Sequence, residues 1–267
     1  KRLAAAVESD DPTMAEMASH LVRAGGKRLR PLFTALSSTA GSGPSTVSDD
    51  AVTGGVACEL VHVGSLHHDD VIDEATTRHG VDSVNARWGN LRAILSGDFL
   101  LARASELAAS LGTEVAALLA ATIGRLCEGE VRELRFAYQV DRTVDDYEAA
   151  IAGKTAALYA TACRIGGIVA ELPREEVDAL TDFGHHYGMA FQVVDDVLDV
   201  VATEEELGKP AGHDMAEGVY NLPVLRAFDG PGGAELRSLL GGPLTPEARE
   251  RALQIVREGD GVARAVE

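Results

Sequence analysis

The sequence predicts an all-α protein, on three observations. Alanine, leucine and acidic residues dominate the 267 positions. Valine, isoleucine and aromatic residues never alternate with polar ones over windows of strand length. Apolar stretches of helical length are separated by short glycine- and proline-containing joints.

Taken in order, the first predicted helix, 13–24, stops at Gly25-Gly26, and the second, 29–40, carries Pro31 in its first turn and stops at Gly41-Ser-Gly-Pro44. A long apolar helix over 48–72 runs into an acidic cluster and a break near Gly80. Helices over 91–110 and 113–136 follow, then 144–170, which ends at Leu172-Pro173. The helix 174–203 ends at the joint Gly208-Lys-Pro-Ala-Gly212. Two more, 219–227 and 245–257, flank a Gly/Pro-rich stretch at 229–243. The middle helices are apolar over most of their circumference, as expected of a bundle whose central members are surrounded by others. The joints are too short to be interdomain linkers, so 1–267 reads as one domain.

A formal net charge of -18 disfavours nucleic acid and anionic lipid, which bind through Lys and Arg neutralising phosphate. A polyanionic ligand stays compatible if divalent cations reverse the local sign where carboxylates cluster. Cys58, Cys127 and Cys163 are far apart, form no CxxC pair, and read as reduced core residues. The chain lacks an apolar run long enough to span a bilayer, and its charged, alanine-rich start does not resemble a signal peptide, so a cytoplasmic protein is expected. The first residue is Lys rather than Met and the last, Glu267, falls in what looks like a helix start; both ends are expected to be incomplete.

Two clusters carry chemistry: Asp69-Asp70-Val-Ile-Asp73 and Asp195-Asp196-Val-Leu-Asp199. Positions i, i+1 and i+4 of a helix fall within an arc of roughly 100°, so each triplet projects together. Each sits at the C-terminal end of an apolar run, where the helix dipole and apolar neighbours disfavour carboxylates unless cations compensate. Magnesium suits such hard oxygen donors, completing its octahedron with water and phosphate oxygens. A single cluster could equally be a solvated acidic helix end; two matching ones argue against that.

The chain has only 24 Lys and Arg, so their placement is informative. Gly25-Gly26-Lys27-Arg28-Leu29-Arg30-Pro31 gathers three at a joint that opens a helix, an anion site in the making or, alternatively, three surface cations offsetting an acidic body. Arg78 lies one turn beyond the first cluster, Lys154 and Thr155 follow a glycine within a helix, Gln192 stands three residues before the second cluster, and Lys209 follows it in a glycine-containing loop. Together they could hold two diphosphates, one through metal bridges and one through direct ion pairs. His62 lies about two turns before Asp69 on the same face, and His67 and His68 lack zinc-ligand spacing.

These residues together resemble the trans-isoprenyl diphosphate synthases, or polyprenyl synthetases. The segments that carry the likeness are GGKRLRP at 25–31, ELVHVGSLHHDDVIDEATTRHG at 59–80, SGDFLLARA at 96–104, GKTAALYATACRIGG at 153–167, FQVVDDVLDV at 191–200 and LGKPAGHDMAEG at 207–218. The resemblance implies an isoprenoid-synthase-type helical bundle around a deep central cavity, with the two aspartate motifs facing across its mouth. It implies three magnesium ions held by Asp69, Asp70, Asp73, Asp195, Asp196 and Asp199 on an allylic diphosphate, which Arg78, Lys154, Thr155, Gln192 and Lys209 also support. Lys27, Arg30 and His62 match isopentenyl diphosphate ligands, and His79 stands where the family usually has a second arginine. A further departure is Glu217-Gly-Val219-Tyr-Asn221-Leu-Pro223 in place of GKxTLP, losing a lysine and a threonine. The implied reaction is ionisation of the allylic C–O bond, attack on the cation by the double bond of isopentenyl diphosphate, and proton loss, with no side-chain nucleophile. A homodimer is implied as well.

In such enzymes product length is set by what plugs the cavity beneath the first motif. Gly64 and Ser65 lie just below it, with Val61 and Cys58 on the next turns, and each turn adds about 5.4 Å of depth. None is aromatic, which predicts a product longer than farnesyl, geranylgeranyl or a medium- to long-chain polyprenyl diphosphate. The small residues could instead serve close helix packing. The other readings weighed are a short-chain farnesyl or geranylgeranyl synthase, a non-catalytic partner subunit of another synthase, and a terpene cyclase.

Overall fold

The computed structural model describes residues 1–203 and 211–267. Its helices are α1 (Arg2–Ala6), α2 (Pro12–Ala24), α3 (Leu29–Ser38), α4 (Asp49–Ile72), α5 (Val84–Trp88), α6 (Asn90–Ser110), α7 (Thr113–Arg135), α8 (Val144–Ile151), α9 (Ala157–Val169) and α10 (Arg174–Val201). The rest are α11 (His213–Ala216), α12 (Leu222–Ala227), α13 (Gly233–Leu239), α14 (Pro246–Glu258) and α15 (Gly261–Val266). The boundaries have side-chain causes. Asp11, Ser48, Ser83 and Thr245 each accept a hydrogen bond from a first-turn amide of the helix they precede, and Thr143 with Asp146 forms a reciprocal capping box before α8, contacts that satisfy amides with no partner inside the helix.

The all-α expectation holds, with local corrections. A two-residue antiparallel ladder, β1 (Thr77–Arg78) with β2 (Val81–Asp82), follows α4. Its connection is His79-Gly80, both with positive φ, 52° and 76°, as a two-residue hairpin turn demands. Arg78 therefore lies on a strand that turns back and not one helical turn past the cluster. The predicted helix 144–170 is broken by a π-helical turn at Ala152–Ala156. The stretch 229–243 contains α13, and the helix expected from 219 begins at Leu222. Sequence periodicity gave no sign of α1, α5, α11 or α15, which are each six residues or fewer and too short to show a pattern.

The chain forms two compact units, 1–124 with 158–185 and 125–157 with 186–267. In the first, α4 is the central element and packs on α3 and α6. Every residue from Gly54 to Val61 is buried, which is why its apolar residues point in all directions rather than along one stripe. In the second, Tyr147, Ile151, Val200, Met215, Tyr220, Leu225, Leu236, Leu253 and Val256 build the core. Each such side chain contributes about 1.5–3 kcal/mol on burial.

Cys58 and Cys163 are buried free thiols, as expected, but Cys127 is exposed. It shares the outer stripe of α7 with exposed Gly124, Glu128, Val131 and Leu134, a face whose alanine and leucine content resembles a core. Among the described residues no helix is long and apolar enough to cross a membrane.

Candidate active site

In the first unit, the last turn of α4 carries Asp69, half-buried, and Asp70, buried, while Asp73 is its exposed C-terminal cap. The Asp73 amide donates to the Asp69 carbonyl at 2.8 Å, so these two carboxylates stand one turn apart. Asp70 points elsewhere. Its side chain is 0 % exposed and its Oδ1 accepts from Arg78 Nη2 at 2.6 Å and Nε at 2.7 Å, whereas Oδ2 has no hydrogen-bond partner among the described residues. Burial raises the Asp70 carboxyl above its usual value despite Arg78. Asn85 donates to the carbonyls of Asp70 and Ala75, and Ser83 also donates to Ala75. This lacing folds the hairpin back and delivers Arg78 to Asp70.

The structure gathers the expected cations of this unit around His62. The imidazole is held well below its ordinary value, first by burial and then by Arg30, His79, Arg28 and Arg78, so it is neutral at neutral pH. Arg30 lies over the Tyr159 ring, 4.7 Å from its centroid, and Lys27 is exposed on the preceding loop. Arg28, which motif reasoning did not single out, adopts a left-handed conformation before α3 and donates to Glu59 at 2.6 Å and the Val22 carbonyl at 2.7 Å. It fixes the glycine-rich joint; the KRLR run was its only sequence signal. His79 is held below its ordinary value by burial, Arg78 and Arg28.

Gly64 is buried where α4 meets α6: a Cβ there would lie 3.1 Å from the Gly97 carbonyl and 3.4 Å from Leu100. Val61 and Cys58 are fully buried, and Ser65 donates to the His62 carbonyl at 2.9 Å.

In the second unit, Lys154 and Thr155 lie on the π turn. Gly129 of α7 permits the turn to approach, since a Cβ there would fall 2.4 Å from the Lys154 amide nitrogen. Lys154 pairs with Glu130 at 2.8 Å and Glu133 at 3.1 Å. Thr155 donates to Gln192 Oε1 at 2.8 Å, and Gln192 Nε2 donates to Asp196 Oδ1 at 2.9 Å. The other Asp196 oxygen accepts from the Tyr147 hydroxyl at 2.6 Å.

The three aspartates on α10 are thus unlike. Asp195 is exposed, Asp196 is buried, and Asp199 is buried with Oδ2 accepting from the Asp214 amide at 3.3 Å. Burial pushes the Asp196 carboxyl up to about 7, against the opposing pull of Tyr147 and Gln192. Tyr147 and buried Arg142, whose guanidinium lies 5.5 Å from the Tyr147 ring centre, were not picked out in the sequence, where both look like core or solvated residues. Asn221, at the departure from GKxTLP, is buried against the Asp196 carbonyl. Lys209 lies outside the described residues.

The expectation that each triplet projects as one claw needs correcting for Asp70 and Asp196. A helix terminus has a buried side as well as an open one; the middle aspartate of each cluster falls on the buried side, and in the second cluster so does Asp199. Among the described residues no three His, Cys, Asp or Glu side chains converge on one point. Within each unit the donors nonetheless suit a hard divalent cation, Asp69 and Asp73 in the first and Asp195 in the second, since such an ion takes one or two carboxylates and fills its shell with water and phosphate.

Helices throughout, paired acidic helix ends and a cationic cluster in an acidic chain define a diphosphate-handling α-helical enzyme. The polyprenyl synthetase family model matches residues 11–257. Nonaprenyl diphosphate synthase of Mycobacterium tuberculosis is 42% identical over 258 residues, covering 96% of this chain and 76% of that protein. Among solved structures, heptaprenyl diphosphate synthase from Staphylococcus aureus aligns with TM-score 0.93 at 34% identity, over 99% of this chain and 83% of that one. The polyprenyl synthase from Caulobacter crescentus, solved with calcium and isoprenyl diphosphate, aligns with TM-score 0.91 at 33% identity, over 98% and 81%. The chain belongs to the polyprenyl synthetase family. It is a prenyltransferase of isoprenoid biosynthesis that makes polyprenyl diphosphates.

Proposed function

We propose that this chain, as one domain over 1–267 and in the cytoplasm, condenses isopentenyl diphosphate with an allylic diphosphate, using three magnesium ions, to make a medium- to long-chain product. The observation that carries the proposal is the gathering of three arginines, Arg28, Arg30 and Arg78, around His62 in the unit that also carries Asp69 and Asp73, within a chain of net charge -18. Such a concentration of positive charge in an acidic protein suits a polyanion.

Asp69, Asp73 and Asp195 are the accessible carboxylates, and we assign them the metals; Asp199 joins them as a candidate. Bound cations would supply the positive charge that a departing diphosphate needs. Arg78, Lys154, Thr155, Gln192 and Lys209 are assigned to the allylic diphosphate. Lys154 meets it only by leaving Glu130 and Glu133. Lys27, Arg30 and His62 are assigned to isopentenyl diphosphate, with neutral His62 acting as a hydrogen-bond donor. His79 offers a single donor where an arginine fork would offer two. The C–O bond of the allylic substrate ionises, the isopentenyl double bond attacks the cation, and the proton lost passes to the leaving diphosphate. Exclusion of water protects the cation.

Gly64, Val61 and Cys58 give the first unit no aromatic side chain on these turns of α4, which favours a product longer than farnesyl. Leu91, Ile94 and Leu95 are exposed on α6, and we assign that face to a homodimer. The test is to incubate the purified chain with magnesium, isopentenyl diphosphate and geranyl, farnesyl or geranylgeranyl diphosphate, then chromatograph the dephosphorylated alcohols. Products beyond fifteen carbons are expected. No condensation with any primer refutes the activity for this chain alone, and a fifteen-carbon alcohol as sole product refutes the length.

A further inference from the structure

We infer that Tyr147 is a positioning residue for the allylic diphosphate: its hydroxyl fixes the buried Asp196 carboxylate, which in turn orients Gln192 and, through it, Thr155. The inference rests on the assignment of Gln192 and Thr155 to that diphosphate and adds the residue that aligns them.

The chain of contacts is short and directional. Tyr147 donates to Asp196 Oδ2 at 2.6 Å, Gln192 Nε2 donates to Asp196 Oδ1 at 2.9 Å, and Thr155 donates to Gln192 Oε1 at 2.8 Å. A carboxylate only accepts, so it dictates which end of the Gln192 amide it meets. The carbonyl end is then left for Thr155. Without Asp196 held in this rotamer, the amide is free to turn over and present its oxygen to an incoming anion, a repulsive contact.

Tyr147 is itself held. Its ring is buried in the core of its unit beside Ile151, Val200 and Met215. Arg142 lies over that ring and donates to the Tyr220 carbonyl at 3.2 Å. The hydroxyl therefore has little freedom, and Asp196, 4 % exposed, has no water-facing alternative. Because Asp196 is buried and both its oxygens accept hydrogen bonds inside this network, its influence on the diphosphate runs through Gln192. Buried polar chains of this type rigidify what they touch when every member is satisfied.

The experiment uses the full chain and inorganic pyrophosphate with magnesium, followed by calorimetry, alongside KM and kcat for farnesyl diphosphate and isopentenyl diphosphate. Tyr147→Phe keeps the ring and removes one hydrogen bond; pyrophosphate binding should weaken about five- to tenfold. KM for the allylic substrate should rise, with that for isopentenyl diphosphate unchanged. Y147F combined with Q192A should bind no more weakly than Q192A alone, the signature of one shared pathway. Asp196→Asn, which leaves one acceptor where two stood and so cannot accept from Tyr147 and Gln192 together, should weaken pyrophosphate by a similar factor and supplies a second readout should Y147F melt early.

Unaltered pyrophosphate binding in Y147F and D196N, additive losses in the double variant, or equal changes in both KM values would overturn the positioning role. If Q192A weakens binding and Y147F does not, only this inference falls. If the wild-type chain binds no pyrophosphate with magnesium, the diphosphate site itself is wrong, and the role of Tyr147 falls with it.

Discussion

Replacing Asp196 by asparagine should change how stability responds to pH, by an amount the structure sets. The folded carboxyl is raised from 3.8 to about 7 by burial. The folded state therefore holds the proton more tightly than the unfolded chain. Stability is full below the unfolded value, falls as pH rises through the interval between the two values, and is constant above it. At about 1.4 kcal/mol per unit the full swing is roughly 4 kcal/mol, of which roughly 2.5 kcal/mol falls between pH 5 and pH 8. The amide of the D196N variant cannot ionise. Urea unfolding of both proteins at pH 5 and pH 8, in EDTA so that no cation competes, isolates this contribution, because the other titrating groups cancel in the difference. The wild-type chain should lose about 2.5 kcal/mol more than the variant on going to pH 8. A difference under about 0.5 kcal/mol would mean that Asp196 ionises as a solvated carboxylate does, and the buried network around it would have to be abandoned.

Four further outcomes are expected. Arg78→Ala leaves Asp70 buried with no cation, a loss of about 3 kcal/mol by thermal or urea denaturation; because Asp70 is already raised by burial, the deficit grows as pH rises from 5 to 8. Gly129→Ala drives a methyl group into the Lys154 amide, so it should cost about 2–3 kcal/mol in urea unfolding and weaken pyrophosphate binding in calorimetry. With a thiol-reactive chromophore the native protein should release one equivalent from exposed Cys127, while Cys58, pushed up to about 12, and Cys163 react only after unfolding. His79→Arg should lower KM for isopentenyl diphosphate severalfold, even though an arginine must adopt the left-handed conformation of the hairpin turn; an unchanged KM would remove position 79 from that site.

The long helices were legible because burial writes itself into sequence as apolar runs with clear stops. α4 and α10 fall within two residues of the predicted ends, since their boundaries are set by Ser48, Pro173 and the aspartate clusters. The hairpin at 77–82 was not legible: two-residue strands carry no alternation, and His79-Gly80 lacks the asparagine or aspartate that usually announces such a turn. The clusters themselves were plain, but the division of labour within them was not. Asp70 and Asp196 look like their neighbours in the sequence; the remote partners Arg78 and Tyr147 separate them, since burial alone leaves Asp196 beside the equally buried Asp199. Gly64 shows the same limit from the other side, because a small residue beneath a site and a small residue at a helix crossing are spelled identically.

The π turn at Ala152–Ala156 acts as a phase shifter. Tyr147 and Thr155 are eight positions apart, and at about 100° per residue an uninterrupted α-helix would turn them some 80° away from each other. The extra residue accommodated in the π turn makes them behave as if seven apart, bringing them within about 20°. Both then meet α10, where Gln192 and Asp196 are themselves one turn apart. Were the same residues wound as uninterrupted α-helix, Thr155 would face roughly 80° away from Tyr147 and the chain would lose one of its two grips on α10.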